Sequence, residues 1–422
     1  MRQITRKTLL YTEMTMDSAI NWNPENLQPF LGHDDVEYPL ALQLGGSDPK
    51  SMGAAAYLAE SYGVYESINV NAGCPSNRAK KCGFGAELML EPDLVKRIVY
   101  EMKRVVARTD ITVKCRLGVT NRESWEELVE FIHAVKEGGV NHVIVHARTC
   151  VLKGLSPAQN RTIPPLRHDD VHKLVQEFPE MKFTINGGIK SFSEARDHLG
   201  WVTVTPETKI NDFSVLYCAN ANKRTKLNTP ASAVRGFPVH GVMIGREAYR
   251  NPFLFATADT EFFNKRSRTY SIPEENRSSS DLSSMKNTRR EVLQAYIDYA
   301  VKCQDAKTYG SQLCNIMKPL HNFFCGCPDN GNQLYKRKLD DLLKKHTQNI
   351  KKPEFVTSAN SSQYSSAFER IVWEAVDGTI PNRFLDCDFR IETTNAECSE
   401  DRSDVSDVVD NCPIDPSLAV VD

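Results

Sequence analysis

Seven short runs rich in apolar and β-branched residues recur through the first 250 residues, separated mostly by stretches with helical spacing. The runs are residues 9–14, 40–44, 67–70, 111–114, 142–146, 182–185 and 241–244, and the helical stretches between them are 49–62, 92–106, 124–136, 169–178 and 193–199. Such alternation predicts βα units, and βα units in series build a parallel sheet, either open or closed into a barrel. A closed (β/α)8 barrel needs eight strands, one more than the pattern shows. Cap chemistry precedes several of the helical stretches: Ser47-Asp48-Pro49, Glu91-Pro92 and Ser191-Phe192-Ser193-Glu194.

Polar residues gather where these runs end. They are Gln43, Asn71 with Cys74, Lys114 with Arg116, His146 with Arg148, Asn186 with Gly187-Gly188, and Gly245 with Arg246. In a barrel all of them face one C-terminal mouth, where such enzymes collect their reactive groups. One buried histidine or lysine is more often a satisfied structural residue; six polar strand ends in register point to a shared site. Cys74 follows a break at Ala72-Gly73, and Pro75 stops the strand from continuing because it has no N–H to give to a ladder. A free cysteine is usually a small buried apolar residue, so the thiol alone leaves a structural and a reactive reading open. Asn186-Gly187-Gly188 and Gly245-Arg246 lie on the last two strands, where barrels commonly bind phosphate through backbone N–H groups.

Composition narrows the class. With 422 residues, 41% hydrophobic and 25% charged, the chain has the profile of a globular protein with one large and one smaller domain. No apolar run approaches the roughly 18 residues of a membrane span, and no secretory segment follows the basic start. Twelve cysteines without paired metal spacing predict reduced thiols and no metal site; Cys325-Gly326-Cys327 is too tight for zinc. The net charge of −2 hides an asymmetry. Residues 386–422 hold eleven acids and two arginines, a local −9, so residues 1–385 carry +7. The acidic end predicts a disordered tail, and the basic remainder permits nucleic-acid binding.

Several longer motifs carry a family resemblance. They are Leu10-Tyr11-Thr12-Glu13-Met14, Ala41-Leu42-Gln43-Leu44-Gly45-Gly46, Asn71-Ala72-Gly73-Cys74-Pro75-Ser76, Val113-Lys114-Cys115-Arg116-Leu117-Gly118 and Val145-His146-Ala147-Arg148. Further on come Gly154-Leu155-Ser156-Pro157, Asn160-Arg161-Thr162-Ile163-Pro164-Pro165-Leu166, Ile185-Asn186-Gly187-Gly188-Ile189, and the run from Gly241 to Tyr249. In this order, over residues 8–200 and 239–345, the chain resembles the tRNA-dihydrouridine synthases. The Asn-Arg-x-Ile-Pro-Pro-Leu run favours the DusA-like branch.

The resemblance implies an α/β fold: a (β/α)8 TIM barrel, here lacking its first strand, followed by a smaller all-helical domain. It implies FMN in the barrel mouth, NADPH as reductant, and reduction of the C5–C6 bond of uridine in the tRNA D-loop, in the position 20 region. Hydride would pass from flavin N5 to C6, and Cys74 would be the acid that protonates C5. A thiol is mostly protonated at neutral pH and can therefore donate. Gln43, Lys114, His146, Asn186, Gly187, Gly188, Gly245 and Arg246 match the flavin contacts. Asn71, Arg148 and Arg161 match residues that hold the uracil or neighbouring RNA. A helical tRNA-binding domain is implied over residues 289–380, where Lys336, Arg337 and Lys338 form a basic cluster. A Lys/Arg run by itself reads as a solvated helix face.

The chain departs from the family pattern in three places. It starts where the family's first helix should end, which removes one strand and the Pro-Met flavin loop; residues 200–239 read as an insertion; and Asp329-Asn330-Gly331-Asn332-Gln333 replaces a more basic stretch. The expected layout is a catalytic barrel over 1–260, a linker over 261–288, the helical domain over 289–380 and a disordered acidic tail over 381–422. A cytoplasmic monomer acting on tRNA is expected, with no membrane and no protein partner; an organellar location is the alternative. Two other functions stay open from sequence: a catalytically impaired RNA-binding relative, and an FMN barrel oxidoreductase acting on a small molecule.

Overall fold

A computed structural model describes residues 1–200, 237–263, 286–305, 316–350 and 361–391. Seven strands form one sheet: β1 Leu10–Met16, β2 Leu40–Gly45, β3 Ser67–Ala72, β4 Asp110–Arg116, β5 His142–His146, β6 Lys182–Asn186 and β7 Gly241–Met243. Each pairs in parallel with the next in sequence, so the order is β1 through β7 with no crossover out of turn. This is a seven-stranded parallel α/β half-barrel, the architecture that the βα alternation predicts.

Helices are placed by their caps. Asp48 accepts from the Ser51 N–H to open Pro49–Tyr62, with proline at the first helical position. Ser124 and Glu127 form a reciprocal capping box that starts Trp125–Glu137, and Ser191 accepts from the Glu194 N–H at the head of Phe192–His198. Sequence reading missed the short helix Asp17–Asn21 and the 3-10 turn Gly85–Leu90, both too short to show a period.

Strand pairing fixes which side chains share a face. The register aligns Gln43 with Asn69 and Thr112, Asn71 with Lys114, and Arg116 with His146, Asn186 and Met243. Because successive residues point to opposite faces, these side chains share one side of the sheet. The alternate residues, Leu42, Leu44, Ile68, Val70, Val113, Cys115, Val143, Val145, Phe183 and Ile185, form the apolar core. One face is therefore polar and buried, and the other is apolar.

The chain divides into two compact units. Of the described residues, the sheet unit holds those within 10–31 and 40–245; the second unit holds 1–9, 32–39 and those within 246–391. In the second unit Arg289–Asp305, Gly331–Ile350 and Ser361–Val376 are helices. Phe253, Phe323, Phe324, Tyr335 and Phe389 build its aromatic core through edge and tilted contacts. Residues 246–260, expected with the barrel, thus fall in this unit, where Phe253 joins the core.

The expected tail start also moves. Asn382–Asp386 is helical, and Phe384, Leu385 and Phe389 are buried, with the Arg289 guanidinium 3.9 Å from the Phe384 ring centroid. Acidic composition hid three apolar anchors, so residues 381–391 are folded. The remaining expected tail, most of the 200–239 insertion and most of the 261–288 linker lie outside the described residues.

Candidate active site

The thiol is held by its backbone. Asn71, at the inward end of β3, accepts through Oδ1 from the N–H groups of Gly73 and Cys74 at 3.1 and 2.9 Å. The Cys74 carbonyl accepts from the Ala86 N–H at 2.9 Å. That approach needs Gly85, whose φ is +68° and whose Cβ, if present, would lie 2.5 Å from the Cys74 carbonyl oxygen. The Cys74 Sγ is 3.3 Å from Ser76 Oγ, and Ser76 also caps Asn77–Lys81. Cys74 is half-buried, whereas Cys115 and Cys150 are buried. Burial pushes the Cys115 thiol up to about 12 and the Cys150 thiol to about 11, so both stay protonated and unreactive.

Asn71 is the end of a longer chain of amides. Its Nδ2 donates to Gln43 Oε1 at 2.7 Å, Gln43 Nε2 donates to Asn69 Oδ1 at 2.9 Å, and Asn69 Nδ2 donates to Thr112 Oγ1 at 2.9 Å. Four side chains from three strands thus form one buried relay that ends on the Cys74 turn. Asn69 escaped sequence reading. Its signal was the Asn-x-Asn spacing in a strand buried at every position, which puts both amides on one face.

Arg116 was visible from sequence only as a polar strand end. It is 2% exposed, and its guanidinium donates to the carbonyls of Gly73 (Nε, 2.9 Å) and Asn160 (Nη1, 3.0 Å). One cation therefore ties the Cys74 turn to the loop after β5. Buried charge is tolerated where it is hydrogen-bonded in this way. Asn160, fully buried, braces that loop by bonding the N–H and carbonyl of Val151 at 2.8 and 3.0 Å.

The remaining site residues occupy definite places. Lys114, His146 and Asn186 are buried on the polar face. Asn186 Nδ2 donates to the Met243 carbonyl at 3.0 Å, while its buried Oδ1 has no hydrogen-bond partner among the described residues. Gly187 and Gly188 have φ of +112° and +78°, and added Cβ atoms would fall 2.6 Å from the His146 ring and 2.4 Å from Leu166. Gly245 follows β7 and is half-buried; Arg246 is exposed and opens Arg246–Arg250 in the second unit. Arg148 is buried and donates to the carbonyls of Thr162 and Pro164, so it holds the loop after β5. Arg161 is half-buried in that loop, at the end of the turn Gln159–Arg161.

The chain is similar to known proteins over most of its length. Residues 1–205 and 213–360 match the sequence model described as dihydrouridine synthase. The chain belongs to the dihydrouridine synthase family. A tRNA-dihydrouridine(20/20a) synthase from Synechocystis sp. is 35% identical over 341 residues, covering 81% of this chain and 83% of that protein. Proteins of the same name from Pseudomonas putida and Vibrio parahaemolyticus are 41% and 40% identical over 263 residues. Each of those matches covers 62% of this chain, with 66% and 68% of the respective relative. As a dihydrouridine synthase the chain is an oxidoreductase of tRNA modification, reducing uridine. Among the described residues no helix is long and apolar enough to cross a membrane.

In the helical unit, Lys336, Arg337 and Lys338 sit on one turn of Gly331–Ile350 between the core residues Tyr335 and Leu339. Arg337 is exposed and Lys336 half-buried. Lys338 Nζ donates to the Asp377 carbonyl at 2.7 Å, so one of the three cations serves the fold.

Proposed function

We propose that this dihydrouridine synthase uses FMN, reduced by NADPH, to saturate the C5–C6 bond of uridine in the position 20 region of the tRNA D-loop, with Cys74 as proton donor. The observation that carries the reading is the relay from Thr112 to Asn71, which pins a half-exposed thiol at the mouth of a polar sheet face. The residues present fit a flavin phosphate and ring. Asn186 Oδ1 is a buried acceptor with no partner among the described residues, and the two glycines keep side chains out of a cradle beside His146. Gln43, Lys114, His146, Asn186, Gly187, Gly188, Gly245 and Arg246 would hold the cofactor. Lys114 and Arg246 would supply positive charge for its electron-rich edge and its phosphate.

When bound, FMN supplies hydride to uracil C6. The protein's part is positioning and proton delivery. Cys74 Sγ gives its proton to C5 on the side the turn presents, and Asn71 fixes that turn through two N–H groups rather than through the thiol itself. Asn71, Arg148 and Arg161 would line the path of the uracil. Lys336 and Arg337 would meet tRNA phosphate as point charges. The test is purification of the chain with its flavin spectrum recorded, then incubation with NADPH and unmodified tRNA. Yellow protein and a mass gain of two hydrogens at a D-loop uridine are expected. Colourless protein that adds no hydrogen to tRNA would refute the reading.

A further inference from the structure

We propose that Ile163 is an apolar wedge that enters the base stack of the folded tRNA as the target uridine is withdrawn. This inference rests on the reading of the chain as a uridine reductase of tRNA.

Ile163 stands on the loop that leaves β5 and returns to it, where the Arg167 N–H meets the Ala147 carbonyl at 2.9 Å. Its side chain is 59% exposed. The backbone around it is fixed: buried Arg148 donates to the carbonyls on both sides, Thr162 and Pro164, and the Ile163 N–H donates to the Gln159 carbonyl at 2.8 Å. Pro164-Pro165 further restricts the following backbone. Three residues on, Leu166 packs at Gly187 and Gly188, so the loop borders the proposed cradle.

Single exposed apolar residues are common and need no explanation. This one differs because a buried cation and two prolines hold its backbone, so presenting it costs little ordering entropy on binding. A uracil inside a folded tRNA is stacked, and taking it out leaves an unfilled step. Branched apolar side chains fill such steps in other nucleic-acid complexes. A β-branched residue is stiff at χ1 and suits that task.

The test uses the flavin-loaded full chain, Ile163→Ala and Ile163→Leu, with folded tRNA and a short unstructured uridine-containing RNA. A 2-aminopurine beside the target uridine reports unstacking on binding. For Ile163→Ala, turnover on folded tRNA should fall at least tenfold further than turnover on unstructured RNA. The fluorescence rise should shrink, tRNA affinity should change less than threefold, and flavin content should hold. Ile163→Leu should restore most of both signals. An equal fall on the two RNAs, or an undiminished fluorescence rise, overturns the wedge. If the unaltered chain reduces no uridine in either RNA, the underlying reading fails instead, and the wedge with it.

Discussion

Cys74 presents its thiol from a turn whose N–H groups, carbonyl and neighbouring side chain are all engaged, so the sulfur can be changed without moving the turn. Cys74→Ala should keep the flavin spectrum and lower dihydrouridine formation by about 10²–10⁴, the usual cost of losing a general acid. Mass measurement of the product tRNA checks this, and full product formation would remove the thiol from the mechanism. Arg116 should behave differently. Arg116→Met leaves the Gly73 and Asn160 carbonyls without their donor, and each orphaned buried acceptor costs roughly 1–3 kcal/mol. A loss of about 2 kcal/mol or more in urea unfolding is expected. Sequence reading reached Cys74 because a strand break, a glycine and a proline mark it. It missed the part Arg116 plays because its partners are backbone carbonyls, which carry no residue signature.

Among the secondary-structure elements, Glu60 is the joint that couples Pro49–Tyr62 to the entry of β4. Burial would raise its carboxyl, but the N–H groups of Ala107, Arg108 and Thr109 all donate to it and pull it down to about 2. A carboxyl lowered in the folded state contributes stability above its ordinary value of 4.5, and that contribution fades as pH falls from about 4.5 toward 2. His142 acts in a higher window. Burial lowers it to about 3, so the unfolded chain takes up the proton first and stability falls as pH drops below 6.5. Thermal unfolding against pH should therefore show decline beginning near pH 6.5 and steepening below 4.5. Glu60→Gln should remove the lower step while costing about 2 kcal/mol at neutral pH, since hydrogen bonds to a charged acceptor are the stronger kind. The order of the strands and of the longer helices was legible in the sheet unit because each cap and each apolar run is local. The helix Asn382–Asp386 was not, since its anchoring residues sit in an acidic window and bury against residues distant in sequence, Arg289 and Phe253 among them.

For the whole molecule, affinity for tRNA is expected to come from charge on the helical unit and selectivity from the sheet unit. Lys336→Ala with Arg337→Ala should weaken tRNA binding and lower the salt slope by roughly two, with flavin content unchanged. Lys338→Ala should instead lower thermal stability by the cost of one carbonyl contact, because its ammonium is committed to Asp377. Titrations at several salt concentrations separate the two outcomes, and an unaltered slope for the double variant would make the cluster a solvated face. The amide relay beneath Cys74 has a consequence of another kind: it has a direction. Every link donates away from the turn, from Asn71 to Gln43, to Asn69, to Thr112. Backbone N–H groups can only donate, so the turn sets that direction, while the Thr112 hydroxyl at the far end accepts or donates equally well. Asn71→Asp would ask every amide to rotate end for end, with Thr112 supplying the final proton, and no link would be left unmatched. The site can thus take a negative charge at position 71 by reversing its whole polarity, whereas Asn71→Leu would break it at the first link.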